Sequence, residues 1–122
     1  MAPVVRALRG ATTVDVDTEE AINERVQTLV REMMERNGLE KDDVVSILFT
    51  ATDDLTATFP ATPARRMGLG DVPLLSAREL SVRDATPRCV RVLMHMHTER
   101  ARSELRHVYL EGAQGLNDDL PI

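Results

Sequence analysis

The stretch Cys89-Val90-Arg91-Val92-Leu93-Met94-His95-Met96-His97-Thr98 decides how the chain must fold. Strand side chains alternate between faces with period two. One face therefore carries Val90, Val92, Met94 and Met96, an uninterrupted apolar row that belongs against a core. The other carries Cys89, Arg91, Leu93, His95 and His97, and must meet water, a partner or a ligand. An exposed arginine is ordinary, so a solvated side chain is the simplest reading of Arg91. The rest of the sequence decides whether it does more.

Working outward, VVRALRGATTV at the N-terminus opens as a strand and is expected to turn at Gly10. Asp17 is a suitable N-cap, with Glu20 three residues on in a capping-box pattern. Behind it Ile22, Val26, Leu29, Val30 and Met33 fall on one helical stripe, and Asn37-Gly38 stops the helix. VVSILFTAT is nearly continuous apolar chain, expected as a strand buried on both faces. DDLTATFPATPARRMGLG reads as a polar loop holding a short helix around Ala64–Met67. VPLL is a brief strand, SAREL a turn or helical segment, and LRHVYLE a last strand. The spacing gives one long helix against about five strands, an α+β domain over residues 1–113. The tail, residues 114–122, has no periodicity and is expected to be mobile. A single long helix cannot cover both sheet faces, so an oligomer that buries the other face is the economical solution.

Bulk properties exclude several classes. The 122 residues suffice for one domain with its own core, and 43% hydrophobic residues is typical of a soluble chain. A net charge of −5 argues against a broad nucleic-acid surface. The start is apolar only in snatches and does not resemble a signal peptide, and no run is long enough to span a bilayer. One cysteine, Cys89, excludes an internal disulfide and fits a reducing cytoplasm. Fourteen arginines stand against one lysine, so arginine is this chain's default cation.

The chemical candidates narrow quickly. Gly68-Leu69-Gly70 lacks the third glycine and the setting of a dinucleotide fingerprint. His95, His97 and His107 lack a further well-placed ligand for a metal, and ordinary surface histidines are the simpler account. No serine nucleophile motif is present, and a strand cysteine is by default structural. What remains is Arg9, Arg91 and Tyr109 on three strands. If those strands are neighbours, two guanidiniums and a phenol converge, which suits a small multivalent anion, since the planar fork of arginine binds carboxylates bidentately.

These residues carry a resemblance. RALRGATTV at Arg6–Val14, DTEEAI at Asp17–Ile22, TATDDLTATFPATPAR at Thr50–Arg65, VPLLSARE at Val72–Glu79, RCVRVLMH at Arg88–His95 and RHVYLEGA at Arg106–Ala113 together resemble the AroH class of chorismate mutases. The resemblance implies a homotrimer of pseudo-barrel form, with active sites at subunit interfaces and no cofactor or metal. It implies the Claisen rearrangement of chorismate to prephenate in phenylalanine and tyrosine biosynthesis. By matching motifs it implies that Arg9 and Arg91 stand in the site, that Tyr109 bonds a substrate carboxylate, and that Glu79 meets the ring hydroxyl. Phe59, Ala61, Leu74, Leu75, Ser76 and Leu116 would line the pocket, with Arg65 adding positive charge nearby. The chain departs from the pattern at Asn117 and Thr62, where relatives often carry Arg and Lys. Chorismate and prephenate are thus the expected small-molecule partners, with neither nucleic acid nor membrane involved. The alternative is a non-catalytic trimeric module that binds a metabolite between interface arginines.

Overall fold

A computed structural model describes residues 2–119. Its centre is one five-stranded mixed sheet in the order β3-β2-β4-β1-β5. The strands are β1 (Val4–Thr13), β2 (Val44–Ala51), β3 (Leu74–Arg78), β4 (Cys89–Thr98) and β5 (Val108–Tyr109). β4 is antiparallel to both β1 and β2, while β3 and β5 run parallel to their neighbours at the two edges. The helices are α1 (Glu19–Arg36) and the single turn α2 (Ala61–Ala64).

The alternation of β4 holds as expected. Val90, Val92, Met94 and Met96 are buried, and they pack in one core with the α1 stripe Ile22, Val26, Leu29, Val30 and Met33. The sheet thus has a covered face, under α1, and an open face. β2 is buried on one face only: Ile47 and Phe49 lie in the core, whereas Leu48 stays 38% exposed on the open face. A continuous apolar run suits burial on both faces, but here α1 supplies a cover on one side only.

Other expectations change with long-range contacts. β1 does not turn at Gly10 but runs through it, because Gly10 lets Met33 of α1 approach the strand. The helix N-cap is Thr18, whose hydroxyl accepts the Ala21 N–H at 3.1 Å. Asp17 is released to cap a different segment: its carboxylate accepts from the Thr56 N–H and hydroxyl and the Ala57 N–H at 2.8–3.1 Å. The short helix is Ala61–Ala64, extended by one wide turn over Arg65–Leu69. Ser76–Arg78 is strand rather than turn, since it pairs with Phe49–Ala51. The last strand shrinks to Val108–Tyr109, and a 3-10 helix follows over Glu111–Asp119. Residues 120–122 of the tail lie outside the described residues.

Asn37 does more than stop the helix. It is 2% exposed, donates to the Met33 and Arg106 carbonyls at 2.8 and 2.9 Å, and accepts the Arg106 N–H at 2.8 Å. The C-terminus of α1 is thereby tied to the chain entering β5.

Candidate active site

Cross-strand partners point to the same face. Ala77, Thr50, Arg91, Ala11 and Tyr109 form one register row across β3-β2-β4-β1-β5, on the open face. Arg9 lies one step along, opposite Leu93. The expected convergence of Arg9, Arg91 and Tyr109 therefore follows from the strand order β4-β1-β5. Burial pushes the Tyr109 phenol above its ordinary range, and the Arg9 and Arg91 guanidiniums both oppose that rise. The phenol stays protonated and can donate.

Glu79 joins this cluster from just past β3. Its Oε2 accepts from the Thr50 hydroxyl at 2.6 Å, and its Oε1 lies 3.8 Å from Arg91 Nε. Nothing in the local sequence marks Thr50. Only the register that sets it opposite Arg91 reveals it. Cys89 shares the Arg91 face but is buried with Ala11 and Ala113. Burial raises its thiol pKa, which disfavours the thiolate a nucleophile needs. Tyr109 and Leu116 pack against this small cluster, so the 3-10 helix brings Leu116 beside the guanidinium row.

The remaining candidates gather elsewhere. Phe59, Ala61, Arg65, Leu74, Leu75 and Ser76 together line one cleft of about 270 Å3 at the β3 edge. Leu74 and Ser76 are register partners of the core residues Ile47 and Phe49, so they point to the covered side of the sheet, away from Arg91. Phe59 is 70% exposed there, and the Ser76 hydroxyl is buried without a partner among the described residues. A larger cleft of about 500 Å3 adjoins it under the Thr52–Pro60 loop, but none of Arg9, Arg91 and Tyr109 lines it. Asp17 holds that loop through Thr56 and Ala57, a role with no sequence signal beyond a good capping residue. The candidates thus fall into two groups: a charged one on the open face with Arg9, Arg91, Glu79 and Tyr109, and a lining one at the β3 edge, where Leu74 and Ser76 face the covered side while Leu75, opposite Leu48, faces the open side.

Among the described residues no three His, Cys, Asp or Glu side chains gather as metal ligands. No helix among them is long and apolar enough to cross a membrane. The fold and site define the class: an α+β domain with two guanidiniums and a phenol gathered on the open face of its sheet. Comparison narrows it. Residues 5–120 match the family model "Chorismate mutase type I". The chain is 45% identical over 118 residues to the chorismate mutase AroH of Thermus thermophilus, covering 96% of this chain and 97% of that one. It is 39% identical over 120 residues to the AroH of Bacillus subtilis strain 168, covering 98% and 94%. A solved chorismate mutase from Clostridium thermocellum superposes with a TM-score of 0.88 at 46% identity, covering 89% of this chain and 97% of that one. The chain belongs to the type I chorismate mutase family. It is an isomerase acting on chorismate to give prephenate, and the binding-module alternative falls.

Proposed function

We propose that the rearrangement takes place between two copies of the chain, in a homotrimer of the cytoplasm. The observation that carries this reading is the separation of the two groups. Leu74 and Ser76 at the β3 edge face away from Arg91, so they cannot enclose a small substrate held by Arg9 and Arg91 of the same chain, but the lining group of a second copy can be laid over the charged group of the first. The open face supports such docking, since Leu48 and Leu75 leave 38% and 59% of their surface exposed beside half-buried Leu93. Such a patch needs cover.

The mechanism follows from where charge moves. The ether C–O bond of chorismate breaks as a C–C bond forms, and negative charge grows on the ether oxygen. A fixed cation there stabilises the transition state more than the ground state. Arg91 has that role, held on the central strand β4. Arg9 and Tyr109 grip carboxylate and restrain the flexible arm in its reactive geometry. Glu79 accepts from the ring hydroxyl and, with Thr50, orients Arg91. The pocket walls come from Phe59, Ala61, Leu74, Leu75 and Ser76 of the adjacent copy, with Leu116 closing the charged half and Arg65 drawing the substrate in. No step transfers a proton, so neither metal nor cofactor is called on.

Mixed oligomers test this arrangement. Arg91→Ala disables the charged half, and the exposed Arg65→Glu places a negative charge in the lining half. Each alone should be nearly inactive when chorismate absorbance is followed. Random reassembly of the two at equal amounts should restore roughly a quarter of the sites, each built from one intact half of either chain. Light scattering should give three times the 13.6 kDa chain mass. No recovery on mixing, or a monomer at micromolar concentration, would place the whole site in one chain and end the proposal.

A further inference from the structure

We propose that His107 is a positioning residue for Arg9, and that it makes the enzyme's acid limb. The inference rests on the placement of Arg9 in the substrate site. β5 contributes only two paired residues to the sheet, Val108 and Tyr109, opposite Gly10 and Ala11. One position earlier the ladder continues through a side chain. The Arg9 backbone N–H donates to His107 Nδ1 at 2.9 Å, joining residues 98 apart in sequence. A parallel edge strand this short is weakly held by its backbone alone. His107 therefore fixes both the strand position that aims the Arg9 side chain and the edge strand that carries Tyr109.

The bond works in one protonation state. Nδ1 must be bare to accept, so the ring proton sits on Nε2. Protonation of Nδ1 would end the bond and place a cation beside the Arg9 guanidinium. The surroundings amplify that cost. His107 lies in a cleft of about 420 Å3 that also exposes Arg6 and Arg9 of β1, His95 of β4 and Arg102 of the 3-10 turn Arg102–Glu104, with no carboxylate among its lining residues. From α1, Asn37 clamps the Arg106 backbone next door. Burial first and Arg9 second hold the imidazole pKa below its ordinary 6.5. His107 is thus neutral at neutral pH, and the contact is lost only on acidification.

Two substitutions separate this role from general packing. Asn places its side-chain oxygen near the Nδ1 position but does not titrate. The unaltered enzyme should lose kcat/KM on acidification below pH 6.5, whereas His107→Asn should keep kcat/KM at pH 7.5 within about threefold and should lack that fall. His107→Leu fills the space without an acceptor and should lower kcat/KM at pH 7.5 roughly tenfold, chiefly through KM, as loss of a substrate grip does. In the unaltered enzyme, the Arg9 amide should exchange slowly at neutral pH and lose protection as the His107 ring titrates by NMR. That measurement needs no variant to fold. An acid limb that persists in His107→Asn, a kinetically silent His107→Leu, or an Arg9 amide indifferent to the titration would each overturn the assignment. Arg9→Ala keeps the two ideas apart: its silence would remove Arg9 from the site, whereas a damaged Arg9→Ala beside a silent His107→Leu overturns the positioning role alone.

Discussion

Glu79 reaches past β2 to Arg91: its Oε1 stands 3.8 Å from the guanidinium Nε while its Oε2 takes the Thr50 hydroxyl at 2.6 Å. The Arg91 side chain is 44% exposed and the Glu79 side chain 24% exposed. A pair so open to water adds little to folding, about 0–1 kcal/mol. Its value lies in orientation, since a carboxylate anchored by Thr50 fixes where the guanidinium can point.

Replacement of Glu79 should therefore divide by acceptor rather than by charge. Glu79→Gln keeps an acceptor for the ring hydroxyl and for Thr50, and should lose less than about tenfold in kcat/KM. Glu79→Ala removes the acceptor and frees Arg91, and should lose on the order of 10²-fold. Steady-state kinetics on both decide it. Equal losses would show that the negative charge itself matters.

Asp17 should make the fold sensitive to acid. The Thr56 hydroxyl is the chief cause holding its carboxyl below the ordinary 3.8, helped by the Thr56 and Ala57 N–H groups. A depressed folded pKa means the unfolded chain takes up the proton first. The contribution is complete above about pH 4 and disappears as pH falls through the folded value. Asp17→Asn should lower Tm at pH 7, and the gap from the natural chain should narrow as the pH falls below the ordinary carboxylate range. A gap that stays constant with pH would separate Asp17 from the loop it caps.

Gly10→Ala should destabilise the protein although it adds only a methyl group. A Cβ there would stand 2.5 Å from Met33 Sδ and 3.2 Å from Leu29 Cδ1, both in side chains with no exposed surface. Overpacking of this kind costs about 1–3 kcal/mol, read as a fall of several degrees in Tm. An unchanged Tm would mean that the core gives way freely.

Gly10 also shows how far the sequence could be read. A glycine in a strand marks either a turn or a close backbone approach, and only the position of α1 decides which. The covered face of β4 and the α1 stripe were legible because period 2 and period 3.6 are local properties. Arg9, Arg91 and Tyr109 could be nominated from residue type, but their convergence needed the order β4-β1-β5. The two-residue length of β5, the role of Thr50 and the Asp17 anchor depend on partners tens of residues away, which no periodicity records.

The tail should act on binding more than on chemistry. Leu116 packs with Tyr109 against the Ala11, Cys89 and Ala113 cluster. Truncation after Gly115 should raise KM several-fold with a smaller effect on kcat, as loss of uniform binding does. Asn117→Arg adds a cation close in sequence to that contact and should lower KM. No change in either variant would mean that the tail does not reach the substrate.

Arg91 carries the sharpest prediction. If it only bound substrate, Arg91→Ala would raise KM and spare kcat. If it meets charge growing on the ether oxygen, kcat should fall by about 10²–10³, the usual effect of losing one preorganised donor in a dry site. Arg91→Lys keeps the charge but loses the planar fork and its reach, so it should recover only a small part of the rate. The fold should survive, because the apolar row Val90, Val92, Met94 and Met96 that seats β4 lies on the opposite face. Arg100 is half-buried and donates to the Arg36 carbonyl at 3.0 Å, remote from the guanidinium row, so Arg100→Ala should leave kcat and KM unaltered and serves as the arginine control. Unchanged circular dichroism with kcat collapsed would assign the loss to the guanidinium. A folded Arg91→Ala protein with near-normal kcat would leave the ether oxygen without its cation and end the proposed mechanism.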